Sequence, residues 1–136
     1  MATTLQLSIV TPEKEVVSDT ASIVMAPGSL GEFGVLVNHT PFLTSLNTGI
    51  VHYTSEKNQE EQIFVNGGFA EALPDKMTIL AESAEKKEHI DKQRAEEAKA
   101  RAEKRLAEAD RENIDEARAR AALNRALERL RCCQEY

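Results

Sequence analysis

The sequence predicts an α+β protein: an N-terminal all-β sandwich over residues 1–84, then a C-terminal antiparallel two-helix hairpin over residues 85–136. Three observations carry this expectation. All four prolines, all six glycines and all four phenylalanines lie before Asp75, so the rest of the chain contains no helix breaker. Apolar residues alternate with polar ones in the first part, as on a half-buried strand, and recur every three or four residues in the second, as on a helix face. Charge divides the same way. Up to Ala84 there are three basic residues against ten acidic ones, and from Glu85 onward 14 against 13, so the net charge of −6 belongs to the first part.

The strands follow in order. Leu5, Leu7 and Ile9 alternate with Gln6 and Ser8. Further strands are expected over residues 15–17, 22–26, 33–37, 50–54, 62–65, 69–73 and 77–81. Turn chemistry separates them at Thr11-Pro12, Ala26-Pro27-Gly28, Asn47-Thr48-Gly49, Lys57-Asn58, Asn66-Gly67-Gly68 and Pro74-Asp75. Short strands at this spacing predict a sandwich or barrel. In the second part, Ile90, Ala98, Ala102, Leu106 and Ala109 mark one helix face. The stripe lapses over residues 109–112, and Asn113 followed by Glu116 reads as a capping box opening a second helix. Its expected apolar face is Ile114, Ala117, Ala121, Leu123, Leu127 and Leu130. A seam so rich in alanine buries little apolar area at about 25 cal/mol per Å2. The hairpin is therefore expected to be marginal alone, to need docking, and to be able to detach.

Composition excludes several classes. With 41% hydrophobic and 29% charged residues the chain reads as globular, not disordered. No apolar run approaches the roughly 20 residues that span a bilayer. No secretory signal is visible in residues 1–7, so the protein is expected to stay where it is made. Cys132 and Cys133 are adjacent and cannot staple a fold; free thiols are the default expectation and a strained vicinal disulfide the alternative. The acidic balance argues against nucleic-acid binding, which needs a basic surface. The glycines of Gly28-Ser29-Leu30-Gly31-Glu32-Phe33-Gly34 are read as turn residues, since a phosphate cradle leads into a helix and commonly carries a lysine. His39, His52 and His89 are scattered, without a zinc-ligand spacing or a nucleophilic triad. No catalytic or metal residue is assigned, and the chain is not expected to be an enzyme.

The segment Gly31-Glu32-Phe33-Gly34-Val35-Leu36-Val37-Asn38-His39-Thr40-Pro41-Phe42-Leu43 resembles a distinctive stretch of the epsilon family of bacterial F-type ATP synthases. Asn66-Gly67-Gly68-Phe69-Ala70-Glu71 resembles that family's Gly-Gly turn, and residues 75–81 its last strand. Val37 and Asn38 stand where the family usually has proline and glycine, and Thr40 replaces a common alanine. Asparagine tolerates a left-handed backbone, so the turn before His39 is expected to survive. The resemblance implies a regulatory central-stalk subunit of a proton-translocating enzyme, peripheral on the cytoplasmic face of the bacterial membrane, without lipid insertion. Its partners would be the gamma subunit, the c-ring, contacted through Leu30, Gly31, Glu32 and His39, and the catalytic beta subunit when the hairpin extends and inhibits hydrolysis.

Ile90-Asp91-Lys92-Gln93-Arg94-Ala95 resembles the motif by which some members bind ATP. By position, Glu85, Arg101, Arg125 and Arg129 match the remaining polar members, so ATP is a possible regulatory ligand and no cofactor is required. Arg94 and Arg101 share a helix face, and Arg125 and Arg129 are one turn apart. The plainer reading is a solvated helix with i,i+4 charge pairs. Extended, Arg118, Arg120, Arg125, Arg129 and Arg131 would face an acidic segment of the catalytic subunit. The alternatives are a free-standing ATP-sensing module and a scaffold whose hairpin pairs with a partner helix.

Overall fold

The computed structural model describes residues 3–108 and 115–134. The chain forms two compact units, Met1–Lys87 and Glu88–Tyr136. The first holds strands β1 (Leu5–Val10), β2 (Glu15–Gly28), β3 (Gly31–Leu36), β4 (Phe42–Ser55), β5 (Glu60–Ala72), β6 (Lys76–Ala81) and β7 (Ala84–Lys86). A 3-10 turn, Lys87–His89, leads to α1 (Lys92–Ala107) and α2 (Glu116–Cys133). The division falls at Lys87, not after Ala84, because residues 84–86 pair with Ile63, Phe64 and Val65 as a seventh strand.

The strands run in the order β1-β6-β5-β4-β2-β3, and β1 also pairs with β2, so the sheet closes on itself. Closure leaves β1 with two partners: β2 antiparallel (Leu5↔Ala21 to Ile9↔Val17) and β6 parallel (Gln6↔Lys76 to Val10↔Leu80). The alternation read in the sequence is the physical basis. Leu5, Leu7 and Ile9 are fully buried together with Val51, Met77 and Ile79, so each strand contributes one apolar face to a common core.

Several expected short strands are halves of long ones. Residues 15–17 and 22–26 belong to β2, which pairs with β1 and β4 on either side at Ala21 and bulges just beyond it. Ala26-Pro27-Gly28 is therefore not a turn: Pro27 sits inside β2 where the ladder to β4 skips from Met25 to Gly28, so its missing N–H disturbs little. Asn47-Thr48-Gly49 likewise lies within β4, and Asn66-Gly67-Gly68 within β5, where positive φ at Gly67 and Gly68 bends a continuous strand. Thr11-Pro12, Lys57-Asn58 and Pro74-Asp75 do lie between strands.

In the second unit each helix opens on an aspartate cap. Asp91 Oδ1 accepts from Arg94 N (3.1 Å) and Asp115 Oδ1 from Arg118 N (3.0 Å). The described helix α2 thus opens at Asp115; Asn113, Ile114 and Ala109 lie outside the described residues. Ile90 precedes α1 and is not part of its face. The helices pack on each other, with Ala95 and Ala102 buried on α1 and Ala119 and Ala126 on α2. Ala117, Ala121 and Leu127, expected on the buried face, are exposed.

Candidate functional site

The residues singled out in the sequence fall into two places. The first is the β2–β3 hairpin. Gly28 pairs with Gly31, leaving Ser29 and Leu30 as a two-residue tip. The tip is pinned by Ser29 N donating to the Ser45 carbonyl (3.0 Å), and Leu30 is 99% exposed. Gly31 takes φ 129°, a conformation open to glycine. This is strand–turn–strand geometry, as read from the glycines, with no helix to receive a phosphate. His39 lies on the β3–β4 turn, where Asn38 has φ 65° as the sequence predicts. The His39 ring contacts Phe42, which in turn contacts Phe33 beside Glu32. Leu36, Phe42 and Leu43 are exposed apolar side chains on β3 and the start of β4, and Leu30 stands exposed at the tip, at the other end of β3 from Leu36.

Sequence reasoning missed a second apolar surface on the same unit. Phe69 and Leu80 face each other in the β5–β6 register, both exposed. With Val10, Pro12 and Leu46 they line a groove of about 590 Å3. The signal was present as large apolar residues at outward positions of the alternation, a pattern that strand assignment alone disregards.

The second place lies between the helices. A cavity of about 270 Å3 is lined by Ala98, Arg101, Ala102 and Arg105 of α1 and by Arg118, Ala119, Ala122, Arg125 and Arg129 of α2. Small alanines let the helices approach, and five arginines are among the residues that line the cavity. Arg101, Arg125 and Arg129 are brought together as the sequence suggests, and Arg105 and Arg118 join them. The remaining expected ligands do not line this cavity. Glu85 belongs to β7 of the first unit, Ala95 is buried, and Arg94 lies in the exposed first turn beside its cap Asp91.

The other arginines behave differently. Arg120 places two nitrogens on Glu116 Oε1 (3.1 and 2.8 Å), and Arg131 two on Glu128 Oε2 (3.0 and 2.7 Å). These are the i,i+4 and i,i+3 pairs of a solvated helix surface, each worth about 0–1 kcal/mol. Among the described residues no carboxylate pairs with Arg101, Arg105, Arg118 or Arg125. Like charges held around a small cavity repel one another unless an anion enters it. Guanidinium forks match phosphate oxygens bidentately, so the chemistry on offer is polyphosphate binding. Among the described residues no group of three or more His, Cys, Asp or Glu side chains could hold a metal ion. Cys132 and Cys133 are not disulfide-bonded and lie within the last turn of α2, the first of them buried.

A closed acidic β-barrel bearing apolar display surfaces, followed by an arginine-walled helical hairpin, defines a two-part binding protein. Family models agree with both halves: the ATP synthase delta/epsilon chain β-sandwich domain matches residues 4–87, and the long α-helix domain of the same chains matches residues 88–134. The chain belongs to this ATP synthase family. It is similar to the ATP synthase epsilon chain of Desulfosudis oleivorans, with 67% identity over 106 residues that cover 78% of this chain and 80% of the relative. The epsilon chain of Desulforapulum autotrophicum is 56% identical over 130 residues, 96% of each chain. A chain of the Euglena gracilis mitochondrial ATP synthase shares the fold, with a TM-score of 0.82 at 19% identity over 94% of this chain and 80% of that one. No helix among the described residues is long and apolar enough to cross a membrane.

Proposed function

We propose that this chain is the non-catalytic epsilon component of the rotor in an F-type ATP synthase, joining the gamma subunit to the c-ring. Its helical hairpin restrains ATP hydrolysis and responds to ATP. The enzyme holds it as a peripheral subunit on the cytoplasmic side of a bacterial membrane. The barrel offers two apolar surfaces, which suits a piece lodged between protein partners. The tip with Leu30, Gly31 and Glu32, and His39 beyond it, serves the c-ring.

The observation that carries the regulatory part is the arginine-walled cavity. Both helices supply its walls, so an anion bound there favours the packed hairpin over any arrangement that separates them. Each buried alanine methyl contributes only about 0.8 kcal/mol, and crowded arginines oppose closure, so the hairpin is close to balance. ATP at roughly tenfold above its dissociation constant adds about 1.4 kcal/mol to the closed form, enough to tip it. When the helices separate, Arg118, Arg125 and Arg129 become available to an acidic segment of the catalytic beta subunit, beside Arg120 and Arg131. The two uses compete for the same guanidinium groups.

Calorimetric titration of ATP into the full chain tests this. Binding is expected between about 1 mM and 1 μM, or roughly 4 to 8 kcal/mol. Arg101→Ala and Arg125→Ala should each weaken it by at least tenfold, whereas Arg120→Ala, which removes only a surface pair with Glu116, should leave it unchanged. Absence of heat at millimolar ATP ends the nucleotide reading. Co-purification with gamma and the c-ring tests the stalk role separately.

A further inference from the structure

His52, on β4, lies between two carboxylates supplied by different strands. Its Nε2 is 3.5 Å from Glu32 Oε2 on β3, and its Nδ1 is 3.4 Å from Glu60 Oε1 on β5. The imidazole is largely buried, while both glutamates are about half exposed. Across the sheet the ring stands opposite Met25 on β2 and Gln62 on β5, neither of which titrates. The carboxylates approach opposite nitrogens of one ring, so they diverge and share no point where a metal could sit.

The chemistry of imidazole makes this arrangement conditional. A neutral ring has one N–H donor and one bare nitrogen, whereas the imidazolium has two donors. Two carboxylate acceptors are satisfied together only by the charged ring. Once the ring is neutral, one carboxylate faces a lone pair and is repelled. Glu60 is on the strand next to β4, and those strands are paired from Phe42↔Ala72 to Thr54↔Glu60. Glu32 reaches across from β3, which pairs only with β2 in the barrel. The side chain reaching from the strand with the weaker attachment gives way.

We propose that His52 is a proton-operated clamp on the β2–β3 hairpin: protonated, it ties Glu32 to Glu60 across β4, and neutral, it releases Glu32. Release frees the Glu32 side chain, two residues after the fully exposed Leu30, while β3 keeps its ladder to β2. His52 is thus a positioning residue for the tip. The consequence for the assembly rests on the reading of Leu30, Gly31 and Glu32 as the c-ring contact; the clamp itself does not.

Amide and ring resonances of the full chain, followed by NMR over a pH series, test the clamp. The Leu30, Gly31 and Glu32 amides are expected to shift in one step together with the His52 ring. In His52→Gln and in Glu32→Ala that step should vanish from Leu30 and Gly31, and in Glu60→Ala it should shrink or vanish, because a neutral ring with one carboxylate neighbour keeps its N–H on Glu32. Tip amides that ignore the His52 titration, or that follow it unchanged in Glu32→Ala, overturn the clamp. Should His52→Gln fail to fold, the Glu32→Ala comparison alone decides, since that side chain is half exposed. Cross-linking from position 30 to the c-ring at several pH values is read separately. Its absence throughout would remove the c-ring reading and leave the clamp standing.

Discussion

Gly68 shows how local chemistry and topology part company. Next to Gly67 it reads as a turn, yet both lie inside β5, where the pairing passes from β7 at Ile63–Val65 to β6 at Gly68 and beyond. Gly68 has φ 123°, and a Cβ there would collide with the Leu80 carbonyl oxygen, a backbone atom that cannot swing aside. Gly31 has a similar φ of 129° but nothing within 4 Å of its Cβ position. Gly68→Ala should therefore cost about 3 kcal/mol or more, and Gly31→Ala about 1–2 kcal/mol from backbone strain alone. Chemical denaturation of the two variants checks the order, and equal costs would remove the steric argument. Asn38 was legible in advance, because its left-handed φ depends on one residue's own preferences. His52 was not. Glu32, His52 and Glu60 are separated by 20 and 8 positions, and only the strand order β3-β2-β4-β5 brings them side by side.

At the scale of elements, alternation against turn residues transmitted the strands well and their ends poorly. Leu5-Leu7-Ile9 reads directly as β1, whereas β2, β4 and β5 are each 13 or 14 residues long and bend at bulges or glycines that resemble turns. The helices were found for the right reason; the face of α1 was read correctly at Ala98, Ala102 and Leu106, whereas that of α2 was turned away from the buried set. In α2 alanine occurs on every side, so a period of 3.6 has no contrast to act on; the buried set, Ala119, Ala126 and Cys132, emerges only in the packed hairpin. Asp91 presents a related ambiguity. Its resemblance makes it an ATP ligand, and its geometry makes it the cap of α1, with Oδ1 committed to Arg94 N. Asparagine caps as well as aspartate, while alanine costs about 1 kcal/mol. Asp91→Asn should keep both helix content by circular dichroism and ATP affinity, and Asp91→Ala should lower both. If Asp91→Asn alone loses ATP while the helix stays, the carboxylate is a ligand and the cap is incidental.

At the scale of the molecule, the two units divide the work as they divide the charge. Every core residue of the barrel and both of its apolar display surfaces lie within residues 1–87, and every residue lining the arginine cavity lies within residues 88–134. A closed barrel needs no strand from outside, so it should fold without the helices. The expected outcome is that residues 1–87 unfold cooperatively, co-purify with gamma and the c-ring, give no heat with ATP, and leave hydrolysis unrestrained. The full chain should restrain hydrolysis, and ATP bound to the hairpin should relieve that restraint, because closing the cavity withdraws Arg118, Arg125 and Arg129 from the catalytic subunit. Arg125→Ala distinguishes linkage from coincidence. On the proposed competition it removes a guanidinium that both states use, so it should weaken inhibition and ATP binding together. Full inhibition with ATP binding lost would mean that the two states draw on different arginines, and the competition between them would have to be abandoned.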